Sequence, residues 1–89
     1  MMNIGSSFSL GRIVLDRRSL RRLSSEDVIP ALSRHFLGDW GAISTQRRDA
    51  NRRALVQNKP VRSVYYTTMG TKMCVTTAGD RSVTTVKVL

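Results

Sequence analysis

The stretch VRSVYYTTMGTKMCVTTAGDRSVTTVKVL (61–89) decides the fold. It contains three runs rich in β-branched and aromatic residues, VRSVYYTT (61–68), TKMCVTT (71–77) and RSVTTVKVL (81–89). Such residues suit a pleated, half-buried surface. The runs are separated by the glycine-bearing segments MGT (69–71) and AGD (78–80), and connections this short join only antiparallel neighbours. An antiparallel meander is therefore predicted, with Asp80 and Arg81 at its second turn. Successive residues on a strand face opposite ways, so of Tyr65 and Tyr66 one belongs in the core and the other is free to meet a ligand.

Moving toward the N-terminus, the pattern changes to helices. In GDWGAISTQRRDANRRAL (38–55), Gly38 and Gly41 bracket an Asp39–Trp40 turn. A helix is predicted over Thr45–Gln57, stopped near Asn58 and Pro60. Ile43, Ala50 and Ala54 lie on one side of it, with Leu55 extending the apolar flank. Before it, SSED (24–27) offers Ser24 or Ser25 as an N-cap with acids in the first turn. Pro30 comes late for a first-turn proline, so the regular helix is expected to begin nearer Val28. Val28, Ile29, Leu32 and Phe36 then form its apolar face. Earlier still, Asp16 can cap a short helix RRSLRRL (17–23), with Arg17, Arg18, Arg21 and Arg22 on one arc and Leu20 and Leu23 opposite. Phe8–Leu15 has the content of a strand, with Gly11 as a bulge. Residues 1–7 are expected to fray.

These elements add up to one α+β domain over residues 8–89. Its expected architecture is a small antiparallel sheet of about four strands with two to three helices packed on one face. At 89 residues there is no room for a second domain, and no linker or internal repeat is visible. Five aromatics leave a core built mostly from Val, Leu and Ile.

Charge narrows the possible partners. Fifteen basic residues face six acidic ones, for a formal charge of +9 and a pI near 11.4. That excess attracts polyanions, and nucleic acid is the commonest of them. Most of the cations are Arg, whose planar fork suits phosphate. Two helices accept like-charge neighbours four residues apart: Arg17/Arg21, Arg18/Arg22 and Arg48/Arg52, with Asp49 to Arg53 as the compensating pair. An anionic surface would relieve that repulsion; a solvated face is the plain alternative. The candidate nucleic-acid contacts are thus Arg17, Arg18, Arg21, Arg22, Arg47, Arg48, Arg52 and Arg53. Phosphate contacts of this kind position a protein rather than read bases.

Catalytic and metal chemistry find little support. There is no Walker loop, GxGxxG, GxSxG or HExxH. His35, the only histidine, lies on the edge of an apolar helix face, where a packed or capping role outweighs catalysis. Asp39 is near enough in sequence to pair with it as an acid–base unit, yet no nucleophile accompanies them. Cys74, the only cysteine, cannot form an internal disulfide and reads as a small core residue in a strand. No enzyme activity, cofactor or metal site is expected, and no apolar run suffices to span a membrane. Through Ser25 the chain is Arg- and Ser-rich and poor in acids, as transit peptides are. GRIVL (11–15) reads equally as a folded strand, and a cytoplasmic location is the expectation.

Seven blocks carry a family resemblance: LGRIV (10–14), RHFLGDWG (34–41), AN (50–51), AL (54–55), SVYY (63–66), GTK (70–72) and DRSVTTV (80–86). In this order and spacing the chain resembles, from Leu10 to Val88, a family of small, often plasmid-encoded bacterial proteins of unknown function. The resemblance implies a structural signature at His35, Gly38, Asp39, Trp40, Gly41, Asn51, Asp80 and Arg81. It also implies that the positive helix is particular to this chain, because similar proteins carry acids where it has STQRRD (44–49). They likewise have an aromatic at the place of Cys74 and a Glu at that of Ala78. The leading expectation is a nucleic-acid-binding accessory protein. The alternative is a protein-interaction or homo-oligomeric assembly module, pairing through an exposed sheet edge.

Overall fold

A computed structural model describes residues 8–89. The elements in chain order are β1 (Arg12–Leu15), α1 (Arg17–Arg22), α2 (Ser25–Phe36), α3 (Thr45–Gln57), β2 (Val61–Tyr66), β3 (Lys72–Thr77) and β4 (Val83–Val88). The four strands form one sheet in the order β1-β4-β3-β2, and with the three helices they make the expected α+β domain. The segment expected to fray, residues 1–7, lies outside the described residues.

The meander forms as read. β2 pairs antiparallel with β3, with Val64 opposite Cys74, and β3 pairs antiparallel with β4, with Val75 opposite Val86. The first strand departs from expectation in direction and length. It runs parallel to β4, with Ile13 opposite Thr84 and Leu15 opposite Val86, so the sheet is mixed. The chain between β1 and β4 passes through all three helices and the other strands, and a connection that long permits parallel pairing. Only Arg12–Leu15 is strand. Gly11 has φ +64°, a left-handed conformation that ends the run, and a Cβ there would strike the Ser82 carbonyl. Phe8 turns inward instead and packs with the cluster of Trp40, Ala54 and Val61.

The caps follow the sequence. The Asp16 carboxylate accepts from Ser19 N at 2.8 Å to start α1. Asp27 accepts from the Ser24 backbone N–H at 3.0 Å, and α2 begins at Ser25 and runs through Pro30 rather than starting near Val28. The Ser44 hydroxyl accepts from Arg47 N at 3.0 Å, and Asn58 closes α3 with φ +55°.

The inward faces of the first two helices are rotated from the predicted ones. On α1, Ser19 is buried and accepts from Val88 N at 2.9 Å, while Leu20 is 63 % exposed. On α2, Ala31 and His35 are buried with Val28 and Leu32 against the core, while Ile29 is 62 % exposed and Phe36 is exposed. Polar side chains with fixed partners on the sheet set both rotations: Ser19 reaches the end of β4, and His35 reaches β2 and β3. The main core joins Leu23 and Ala31 to Tyr65, Met73, Val75, Val86 and Val88. α3 lies at the β2 margin. There the buried Asn51 donates to Arg62 O at 2.8 Å and accepts from Arg62 N at 3.1 Å, replacing a missing strand.

Candidate nucleic-acid interface

α1 holds its arginines outward because its inner face is taken by Ser19 and followed by buried Leu23. Arg17, Arg18, Arg21 and Arg22 are all exposed, and none has a hydrogen-bond or ion-pair partner among the described residues. The four therefore form one cluster.

α3 divides its arginines among three tasks. Arg48 is half-buried and donates to the Gly41 carbonyl at 3.0 Å, so its guanidinium serves the turn. Arg52 pairs with Asp49 at 3.0 Å, across one turn in the i,i+3 sense, which displaces the expected Asp49–Arg53 pair. Arg47 and Arg53 are left exposed. With Lys59 they line a shallow depression floored by Ala50, Ala54 and Pro60. Lys59 was not singled out by the sequence reading, because it lies past the helix end and joins the others only when Asn58 turns the chain back.

The His35–Asp39 unit does not form. His35 is 0 % exposed. Its Nδ1 bonds Ser63 Oγ at 2.5 Å and its Nε2 bonds Thr77 Oγ1 at 2.8 Å. Thr77 continues to Thr84 Oγ1 at 2.7 Å, and Thr84 donates to Leu10 O at 2.6 Å. Burial, with the Arg81 charge adding to it, lowers the His35 pKa to about 4, so the imidazole is neutral at pH 7. Asp39 instead takes the Arg34 guanidinium at 2.7 Å, and that hydrogen bond holds its carboxyl below the usual range. Arg34 also lies over the Tyr65 ring, 4.6 Å from its centre.

The other residues expected to form a structural signature lie in turns and contacts of the fold, although the buried Trp40 Nε1 has no hydrogen-bond partner among the described residues. Trp40 is buried, and its carbonyl accepts from Val64 N at 3.1 Å. Gly41 has φ +76°, and a Cβ there would meet the Val64 carbonyl and the Tyr65 ring. Gly38 also has positive φ. Asp80 accepts from Ser82 N at 3.0 Å, and the Ser82 bonds lower its pKa. Arg81 donates to Ala54 O at 2.9 Å and Lys59 O at 2.8 Å, tying the last turn of the meander to the end of α3. Of the two tyrosines, Tyr65 is the core residue and donates to Asp39 O at 2.6 Å. Burial pushes its hydroxyl up to about 12. Tyr66 is 58 % exposed.

Comparison of the chain with protein-family models, curated proteins and solved structures finds no match. Among the described residues, no helix is long and apolar enough to cross a membrane.

Proposed function

We propose that the protein is a cytoplasmic accessory factor that binds nucleic acid through phosphate contacts from the arginines of α1 and α3. One observation carries this reading: Arg17, Arg18, Arg21, Arg22, Arg47 and Arg53 are exposed and lack a carboxylate partner among the described residues. On α1 the cations also repel one another at i,i+4 spacing, a small cost that phosphate would offset. Arg48 and Arg52 stand apart as supports, engaged by Gly41 and Asp49.

The test is anisotropy of labelled duplex DNA, single-stranded DNA and structured RNA at two salt concentrations. Binding is expected to weaken with salt, with a log–log slope of about −0.9 per neutralised phosphate on duplex DNA. The variant Arg18→Glu, Arg22→Glu, Arg47→Glu, Arg53→Glu should abolish binding without changing the circular dichroism spectrum. Wild-type affinity in a folded quadruple variant would sink the proposal.

Self-assembly is the second reading, and the sheet edges support it at one side only. The outer edge of β2 is closed, since Asn51 satisfies Arg62 and the 40–42 segment bonds both Val64 N and Val64 O. Among the described residues, β1 has no strand on its outer side. Sedimentation that stays monomeric at rising concentration would remove pairing through β1.

A further inference from the structure

A second basic surface forms on the side of the sheet away from the helices. Partners in register share a face, and neighbours along a strand alternate. His35 of α2 bonds Ser63 and Thr77, so Ser63, Tyr65, Val75 and their row partners face the helices. The opposite parity places Arg12 of β1, Arg62 and Tyr66 of β2, Lys72 of β3 and Lys87 of β4 together on the other face. All five are exposed. Between them lie Val64 and Cys74, which are buried at 7 % and 6 % exposure, and the half-buried Thr76, while neither hydrophobic cluster includes any residue of this face. By strand and residue spacings the five span roughly 14 Å across the strands and 20 Å along them.

Among the described residues, none of the four cations has an ion-pair partner. The six acids lie on α2 and α3, at the Asp16 cap, beside the Trp40 turn and in the Asp80 turn. Asp16 lies near Lys87 with its carboxylate occupied by Ser19 N, and Glu26, Asp27 and the Arg34-paired Asp39 line depressions that reach Tyr66 at the β2 margin. The face thus carries four exposed cations and one exposed aromatic ring around a buried centre.

We propose that this face is a platform for single-stranded nucleic acid, on which Tyr66 stacks an unpaired base and Arg12, Arg62, Lys72 and Lys87 take backbone phosphates. This rests on the nucleic-acid reading above and names the substrate class within it. A flat sheet enters neither groove of a duplex, and paired bases offer Tyr66 no free face to stack on. A single strand offers both, since every base has a π-face and the backbone follows a positive surface.

The experiment compares a labelled single strand with the same strand annealed to its complement, by anisotropy across a salt series. The wild type is expected to favour the single strand. Tyr66→Ala should weaken that binding about tenfold, while Tyr66→Phe, which keeps the ring, should bind as the wild type does. Lys72→Gln with Lys87→Gln should make the log–log salt slope shallower by about 1.4, at about 0.7 per phosphate on a single strand. Thermal melts confirm that each variant is folded. Duplex preference, or full affinity in both Tyr66→Ala and the double lysine variant, overturns the platform. If the sheet variants bind fully while the helix variants fail, the helix reading stands and the platform falls. The reverse pattern keeps the platform and removes the helices, and no binding by the wild type removes both.

Discussion

The two faces of the sheet handle polarity in opposite ways. On the covered face, polar side chains are present but uncharged, and they form a closed chain from Ser63 through His35, Thr77 and Thr84 to the Leu10 carbonyl. On the open face, four exposed cations stand without ion-pair partners among the described residues, around the buried Val64 and Cys74. A buried hydroxyl or imidazole is tolerated when its hydrogen bonds are met, whereas a buried unpaired charge is not. Most of the cations are accordingly exposed, while the half-buried Arg48 and Arg81 donate to backbone carbonyls. Substitutions on the two faces should separate cleanly, stability responding to one and binding to the other.

The largest effect is expected at the centre of the covered face. His35→Ala removes a fully buried ring and takes a hydrogen-bond partner from Ser63 and Thr77. A loss of about 4 kcal/mol is expected, much of the stability of a domain this size, and a urea titration measures it. If the melt barely moves, the two faces do not differ as argued.

The same residue gives the next effect without any substitution. His35 is depressed to about 4 in the folded protein, against an unperturbed 6.5. Its contribution is complete above pH 6.5, where both states leave it neutral, and is lost as pH falls toward 4, because the unfolded chain takes the proton first. About 3 kcal/mol should disappear across that window. The carboxyls of Asp16, Asp39 and Asp80 are lowered from 3.8, so their contributions are lost only below the window. In His35→Ala the slope between pH 6.5 and 4 should flatten, which assigns it to this ring.

At the β2 margin, Asn51→Ala leaves the N–H and C=O of Arg62 without their buried partner. We expect a loss of about 2 kcal/mol in chemical denaturation. Asn51→Asp keeps the acceptor, loses the donor and buries a charge, so it should be no milder.

The strands and the third helix were legible because their signals are local. Alternation, glycine connections and the Asn58–Pro60 stop each act within a few residues, and α3 spans the predicted Thr45–Gln57. The caps at Asp16 and Ser24 were legible for the same reason. Helical periodicity shows which residues share an arc but not which arc meets the sheet. Leu20 and Ile29 consequently turned out exposed, and Ser19 and His35 went inside, drawn by partners more than 25 positions away in sequence. The parallel pairing of β1 was hidden because four residues of strand carry no mark of direction. Among the arginines, helix spacing identified the α1 cluster but could not separate Arg48 and Arg52, whose partners are Gly41 and Asp49, from Arg47 and Arg53. The cations of the open face were the least legible. Arg12, Arg62, Lys72 and Lys87 are scattered along the chain and become neighbours only through strand register.

The smallest predicted change in stability belongs to that open face. Lys72→Gln with Lys87→Gln removes two exposed charges that make no ion pair among the described residues, so the stability should stay within about 0.5 kcal/mol of the wild type. The sign is expected to be slightly favourable, since lowering the net charge reduces self-repulsion in the folded state. Added salt screens the same repulsion. The gap between wild type and variant should therefore close as salt rises, a behaviour that lost packing would not show. A melt that drops by several degrees at every salt concentration would mean that the lysine stems pack over Val64 and Cys74 and help seal the sheet. Val64 and Cys74, only 7 % and 6 % exposed, would then owe part of their cover to those stems.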